Sequence, residues 1–291
     1  MKRLNFILRT LTGVLFVALV LGAILYGPLA YTALFVLVAC LTSRELAGLL
    51  HAHAECHMNR NMHAVMTFFL VSGSVLLYDA TLQSYSALLY VIFFLLFLSV
   101  IFVEIQHNAV DSMNSLFYQL FVQVYVGIPF SLLLILPYMA YGTQTGLYTW
   151  HAPLGLFLML WSSDTGAYCV GSLFGKHKLA PAVSPGKTWE GSLGGLLTTI
   201  LVGCVMAYYF PMHTVGPISN YLAWILLAVL VCVTGTMGDL VESLIKRHLG
   251  IKDSGKVLPG HGGLLDRFDS MLFAAPTAFL YFWVLGLLGD F

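Results

Sequence analysis

The sequence has few charged residues: Asp, Glu, Lys and Arg together make up 9% of its 291 residues, whereas hydrophobic residues make up 59%. About a quarter of the residues in soluble domains are charged, so the composition indicates an integral membrane protein. The formal net charge of zero provides no global basic field and gives no support to nucleic-acid binding. The five cysteines have no CxxC spacing, so we expect neither a disulfide framework nor a structural zinc site.

Apolar runs long enough to cross a hydrocarbon core of about 30 Å recur along the chain. They predict an all-α fold and a polytopic integral membrane protein with about nine transmembrane helices. We expect these helices to form a single membrane domain over residues 1–291. Residues 1–150 form its N-terminal helical half, and residues 151–291 hold the polar segments and the expected site. The first two apolar runs meet at Gly27 and Pro28, which leaves open whether they are two spans or one kinked element. The predicted spans are residues 11–27, 29–46, 64–79, 86–103, 116–140, 153–173, 191–210, 221–240 and 271–289.

The distribution of positive charge predicts the orientation of these spans. With the N-terminus in the cytoplasm, nine spans place all 13 lysine and arginine residues in cytoplasmic segments. The two polar segments, residues 174–190 and 243–269, then lie on the same cytoplasmic face. The sequence therefore predicts a multi-pass protein of the inner, cytoplasmic membrane with a site that faces the cytosol.

A polar stripe ends the eighth predicted span. Asp239, Glu242, Ser243 and Lys246 follow at i, i+3, i+4 and i+7, so on a helix they share one face. A carboxylate, a hydroxyl and an ammonium on one face can hold Mg²⁺ and contact phosphate oxygens. A helix end whose charges are only solvated would show the same pattern.

A glycine-rich loop, residues 250–263, follows the stripe and leads into a second acidic helix. Asp266 and Asp269 are three residues apart with Arg267 between them, so both carboxylates can share a face. The loop can bring Asp239 and Asp266 side by side, and two carboxylates beside lysines suit one or two Mg²⁺ ions that hold a nucleoside triphosphate. The alternative is an ion-pair network that closes a helical hairpin.

The other polar segment follows the sixth span. Asp164 lies inside an apolar run, and an intramembrane carboxylate is a candidate for a functional site. Ser184, Lys187, Thr188 and Glu190 then offer two hydroxyls, an ammonium and a carboxylate around a proline turn. We therefore expect this segment to be a candidate for contacts with part of a bound nucleotide.

The stretch from Ser243 to Asp269 resembles the signature of the phosphatidate cytidylyltransferase family, the CDP-diacylglycerol synthases of membranes. A second stretch, Asp164 with Ser184 to Gly191, is similar to the family in a looser way. The resemblance covers the C-terminal half, while residues 1–150 match only as a row of apolar helices. The residues that carry the signature are Ser243, Lys246, Arg247, Lys252, Asp253, Gly255, Pro259, His261, Gly262, Gly263, Asp266, Arg267 and Asp269.

The resemblance implies that CTP and phosphatidic acid react to give CDP-diacylglycerol and pyrophosphate, with Mg²⁺ required and Mn²⁺ as a possible substitute. It implies catalytic roles for Asp239, Lys246 and Asp266, with Asp239 and Asp266 as metal ligands. It also suggests a homodimer in the lipid bilayer. The residues expected to bind nucleotide or phosphate are Asp164, Ser184, Lys187, Thr188, Glu190, Ser243, Arg247, Lys252, Asp253, His261, Arg267 and Asp269.

Two other functions stay open at this point. The first is a CTP-dependent transferase or kinase that acts on another lipid, such as an isoprenoid ether lipid or a polyprenol. The second is a cation-coupled transporter that uses Asp164 and Asp239. A transporter needs a midplane site that both sides of the membrane reach in turn, and the polar residues here gather at one face.

Overall fold

The structure is a computed structural model that describes residues 2–53, 58–78, 82–106, 112–139, 147–210, 219–255 and 262–289. Helices dominate these residues, which confirms the all-α membrane class. A π-helical turn, Gln123–Gly127, joins the fifth and sixth helices. The helices are α1 Lys2–Tyr26, α2 Pro28–His53, α3 Arg60–Leu76, α4 Gln83–Gln106, α5 Ser112–Val122, α6 Ile128–Met139, α7 His151–Phe174, α8 Trp189–Tyr209, α9 Asn220–His248 and α10 Leu265–Gly289.

Each predicted span is mostly helical over the residues that the structure describes. Among the described residues, 6 helical segments are long and apolar enough to cross a membrane, and Thr10–Tyr26 is a shorter apolar helix. A multi-pass membrane protein is thereby confirmed, whereas nine crossings and a cytoplasmic N-terminus stay predictions. The 6 segments are Pro28–His53, Gln83–Gln106, Met113–Met139, Trp189–Tyr209, Asn220–His248 and Leu265–Leu287.

The first two apolar runs are separate helices. Gly27 lies between α1 and α2 with φ +128°, a backbone conformation that side chains disfavour. Pro28 then begins α2, where its missing N–H and restricted φ suit a first helical position. The glycine and the proline together end one helix and start the next.

The chain divides into two compact units, and the first comprises Met1–Leu134 and Lys246–Phe268. Aromatic side chains form part of its core around Phe268, in the first turn of α10. The Phe268 ring centroid lies 5.5 Å from that of Phe16 and 5.7 Å from that of Phe130. The buried Tyr31 hydroxyl donates to the Leu133 carbonyl at 2.7 Å. These contacts join α1, α2, α6 and the start of α10.

The second unit comprises Ile135–Ile245 and Asp269–Phe291. Small residues let α7 and α8 pack closely within it, since a Cβ added at Gly195 would lie 2.8 Å from the Ser163 carbonyl oxygen. The Thr198 hydroxyl also donates to the Ser162 carbonyl at 2.9 Å. The single membrane domain expected over residues 1–291 stays a prediction.

A short β-hairpin departs from the all-helical expectation between α7 and α8. Its strands, β1 Lys178–Ala180 and β2 Ser184–Thr188, pair antiparallel with Lys178 opposite Thr188. Pro181 and Pro185 exclude a regular helix through this segment. The Thr188 side chain then caps α8 by accepting from the Gly191 N–H at 3.1 Å.

Candidate functional site

Three carboxylates meet in the second unit. Asp239 and Glu242 lie one turn apart on α9, and Asp269 comes from α10. One ligand oxygen from each residue lies within 4.8 Å of the others. We call Asp239, Glu242 and Asp269 the carboxylate cluster.

Gly238 on α9 lets α10 approach closely enough to form this cluster. A Cβ at Gly238 would lie 2.5 Å from the Asp269 carbonyl oxygen, which is closer than a side chain tolerates. A Cβ at Gly235, one turn earlier, would instead lie 2.7 Å from Leu160 Cδ2 of α7. The α10 backbone therefore runs directly over α9 at the level of Asp269.

Positive charge reaches the cluster from the β-hairpin. The Lys187 ammonium lies 2.6 Å from Asp239 Oδ2 and donates to the Thr236 carbonyl at 3.4 Å. The Ser243 hydroxyl donates to Asp239 Oδ1 at 3.3 Å. The Lys187 side chain thus links β2 to α9, and its ammonium lies against the polar stripe of that helix.

The cluster concentrates negative charge in a partly buried place. Glu242 is 0% exposed, and Asp239 and Asp269 are half-buried. Asp164 of α7 and Asp239 lie close enough to Asp269 to repel its charge, while Lys187 attracts it. Such repulsion raises the free energy of the anions unless a cation offsets it.

The donor set fits a hard divalent cation. Carboxylate oxygens are the ligands that Mg²⁺ and Mn²⁺ prefer, and an oxygen from each of three carboxylates already lies within reach of a common point. The Lys187 ammonium shows that this position attracts positive charge. The cluster is therefore a candidate metal site.

Asp266, the second predicted metal ligand, has different surroundings in the first unit. Its Oδ1 accepts from the Lys246 ammonium at 2.7 Å. Its Oδ2 accepts from the backbone N–H groups of Ser254 at 3.0 Å and Gly263 at 2.9 Å. The structure thus brings together the predicted catalytic pair Lys246 and Asp266, and groups Asp239 with Glu242 and Asp269. A metal role for Asp266 stays a prediction.

Other signature residues lie on or near the surface. Arg247, Lys252, Asp253 and Arg267 are exposed, and the Arg247 guanidinium donates to the Ile251 carbonyl at 3.4 Å. His261 lies outside the described residues. Phosphate-binding roles for these side chains stay predictions.

The hairpin residues divide into two groups. Thr188 is buried as the cap of α8, and Glu190 accepts from the backbone N–H groups of Lys176 at 3.1 Å and His177 at 3.2 Å. Their side chains therefore hold the hairpin to α8. Ser184 is half-buried on β2, and Asp164 is exposed on α7.

The sequence predicts no site role for two further carboxylates, Glu242 in the second unit and Glu45 in the first. Glu242 belongs to the predicted polar stripe, and its i+3 spacing from Asp239 is the signal that points to it. Glu45 of α2 contacts the glycine-rich loop, and its only signal is a carboxylate within an apolar run.

The chain matches the model of the cytidylyltransferase family over residues 7–285. It is also similar to proteins named phosphatidate cytidylyltransferase from staphylococci. It is 52% identical over 120 residues to that of Staphylococcus epidermidis, covering 41% of this chain and 44% of the relative. It is 50% identical over 128 residues to that of Staphylococcus aureus, covering 43% and 46%. The match thus spans slightly less than half the length of these relatives.

Proposed function

Because the chain belongs to the cytidylyltransferase family, we propose that it is a CTP:phosphatidate cytidylyltransferase of phospholipid biosynthesis. It transfers CMP from CTP to phosphatidic acid, which yields CDP-diacylglycerol and pyrophosphate. The names of its staphylococcal relatives support this choice of lipid. The observation that carries the proposal is the carboxylate cluster beside Lys187, because it places three possible metal-ligand oxygens next to an ammonium that suits phosphate.

The reaction needs charge screening more than it needs a general base. A phosphomonoester carries about −1.5 to −2 charges at neutral pH, so the phosphatidate headgroup is already a nucleophile. Its target is the α-phosphate of CTP, which belongs to another polyanion. Catalysis therefore depends on holding two mutually repelling groups in line.

In this proposal Asp239, Glu242 and Asp269 hold one or two Mg²⁺ ions, or Mn²⁺ as a substitute. The bound metal supplies positive charge that screens the phosphates and stabilises the departing pyrophosphate. Asp239 orients the Lys187 ammonium in the structure. In the complex, this ammonium donates a charge-assisted hydrogen bond to a phosphate oxygen.

The first unit has basic side chains of its own that suit phosphate binding. Asp266 holds the Lys246 ammonium at 2.7 Å, so this ammonium is oriented before a ligand arrives. Arg247, Lys252 and Arg267 are exposed and bind oxygens of the triphosphate or of the lipid headgroup. Asp266 thereby takes part through the lysine that it orients.

The site faces the cytosol in this proposal, because nine spans place all 13 lysines and arginines on that side. CTP then enters from the cytoplasm, and phosphatidic acid enters from the inner leaflet. The protein works as a homodimer, which the resemblance to its family suggests. Cross-linking of the purified protein in lipid nanodiscs tests this assembly.

The deciding experiment measures pyrophosphate release from CTP by purified protein, with and without phosphatidic acid and Mg²⁺. We expect release only when both are present, together with labelled CDP-diacylglycerol as product. A polyprenol or an isoprenoid ether lipid replaces phosphatidic acid in parallel reactions. Turnover with either of these lipids but not with phosphatidic acid would identify a different transferase or kinase, and cation flux without nucleotide turnover would identify a transporter.

A further inference from the structure

Glu45 lies on α2, in the apolar N-terminal half of the chain. Its neighbours Thr42, Ser43, Leu46 and Ala47 are buried, and Glu45 itself is half-buried. A carboxylate in such a run is unfavourable unless specific donors surround it. The donors identify the part of the chain that Glu45 holds in place.

The donors belong to the far end of the sequence. Glu45 Oε2 accepts from the Leu264 N–H at 2.9 Å, and Oε1 accepts from the Leu265 N–H at 3.3 Å. The Ser254 hydroxyl also donates to Oε1. Leu265 begins α10, and the first N–H groups of a helix have no partner within the helix. Glu45 therefore caps α10 from another helix, where the helix dipole favours a negative charge.

Two glycines of the signature make room for this carboxylate. A Cβ added at Gly263 would overlap Glu45 Oε1 and the Ser254 hydroxyl. A Cβ at Gly255 would lie 3.1 Å from the Glu45 carboxyl carbon. The close approach of Glu45 therefore requires glycine at position 263 and leaves little room for a side chain at position 255.

Asp266 completes the same arrangement. Its Oδ2 accepts from the N–H groups of Ser254 and Gly263, the residues on either side of the stretch 255–262. Glu45 contacts the Ser254 side chain and approaches Gly263. Two carboxylates, one from α2 and one from α10, thus hold the two ends of this loop together.

We propose that Glu45 is a positioning residue for the reaction. It holds the first residues of α10 and the two ends of the loop 255–262 in place, and it does not touch a substrate. The inference rests on the proposed function. Its consequence follows from α10, which carries Asp266 in its first turn and Asp269 one turn later. A shift of about 1 Å in a positioned group can cost about a hundredfold in rate.

The test compares Glu45→Gln with Glu104→Gln. Glu104 is a matched control, because it is a buried carboxylate of the same unit that accepts from Gln119 at 2.9 Å. We expect Glu45→Gln to lower kcat by about 10 to 100-fold, with little change in KM for CTP. Backbone amide exchange should accelerate at Leu264 and Leu265, and Glu104→Gln should leave kcat and that exchange unchanged.

A second readout separates positioning from a loss of folded protein. The dissociation constant for Mn²⁺, measured by electron paramagnetic resonance without nucleotide on the monodisperse fraction, does not depend on how much of the protein was lost to irreversible misfolding. We expect Glu45→Gln to weaken Mn²⁺ binding by about tenfold, because α10 carries Asp269. A purely structural role would reduce the number of Mn²⁺ sites and leave their affinity unchanged, which would overturn the inference.

A double-mutant cycle tests the contact between Glu45 and Gly263. Gly263→Ala should lower kcat in the wild type, because the methyl group displaces the carboxylate. The same substitution should cost much less in Glu45→Ala, because the carboxylate is gone and the Ser254 hydroxyl, no longer held by it, can rotate away from the methyl group. The two losses should therefore be strongly non-additive. Independent losses, or a Glu45→Gln variant with wild-type kcat and exchange, would overturn the proposal. Failure of the wild type to release pyrophosphate would instead overturn the proposed function.

Discussion

In the second unit Asp239, Glu242 and Asp269 face one another, whereas in the first unit Glu45 and Asp266 face hydrogen-bond donors. Backbone N–H groups and an ammonium stabilise the second pair as anions without any ligand. The cluster also receives the Lys187 ammonium, the Ser243 hydroxyl and the Ser270 N–H, but its carboxylates in addition repel one another, and a bound cation would offset that repulsion. The surroundings, and not the residue type, therefore distinguish the carboxylates that anchor the chain from those that are candidates to bind a metal.

The lysines follow the same division. The side chains of Lys246 and Asp266 are 15% and 10% exposed, whereas those of Lys187 and Asp239 are 24% and 32% exposed. A more exposed pair is weaker, because water competes with it and screens it. Lys187 is therefore the better suited of the two to exchange its carboxylate for a phosphate.

Substitutions in the carboxylate cluster should have the largest effect on turnover. Asp239→Asn or Asp269→Asn should lower turnover by about a thousandfold and abolish Mn²⁺ binding, because each removes a charged ligand. The unfolding midpoint should be unchanged or higher, since the substitution relieves repulsion between carboxylates. Pyrophosphate release, Mn²⁺ titration and thermal unfolding measure these three quantities. Near-normal turnover in either variant would remove that residue from the metal role.

An intermediate effect is expected at Asp266. Asp266→Asn should lower the free energy of unfolding by about 1 to 3 kcal/mol and reduce kcat about tenfold, because it weakens the contacts with Lys246, Ser254 and Gly263. The Mn²⁺ dissociation constant should rise by no more than about tenfold, as in Glu45→Gln, because in this proposal Asp266 positions the start of α10 and does not hold the metal. Lys246→Met is the partner variant, and the double variant should be no less stable than the worse single one. A loss of Mn²⁺ affinity equal to that of Asp239→Asn would make Asp266 a metal ligand, as the sequence predicts.

The smallest expected effect concerns Lys187. Lys187→Met should raise KM for CTP by about tenfold, the contribution of one charged hydrogen bond. Without nucleotide, the same variant should bind Mn²⁺ a few-fold more tightly, because no ammonium competes for Asp239. Equilibrium titrations with and without CTP measure the two effects. Changes of the same sign would contradict the view that Lys187 exchanges partners.

The apolar runs predicted the helical class and the approximate place of each helix, since burial in lipid dictates length and hydrophobicity. They did not predict the β-hairpin, whose strands are too short for a periodic signal. The i, i+3 spacing of Asp239 and Glu242 predicted their common face. Asp266 and Asp269 have the same spacing, so periodicity alone does not tell which of them joins Asp239.

Tertiary contacts decide that choice. Gly238 brings the α10 backbone over α9 at Asp269, and Ser254 and Gly263 donate to Asp266 from the loop. Local sequence patterns could not predict the contacts of Glu45, because it lies 209 positions before Ser254 in the sequence. Contacts between such distant segments form only when the whole unit folds.

The close approach at Gly238 also bears on ion selection. Mg²⁺ takes oxygens at about 2.0 to 2.1 Å and Ca²⁺ at about 2.3 to 2.6 Å, so in the proposed metal site the spacing of α9 and α10 would favour an ion of one size. An alanine methyl group at position 238 would push the helices apart and widen that spacing. In this proposal, discrimination between small and large divalent ions would depend on the absent methyl group at Gly238 as well as on the ligands.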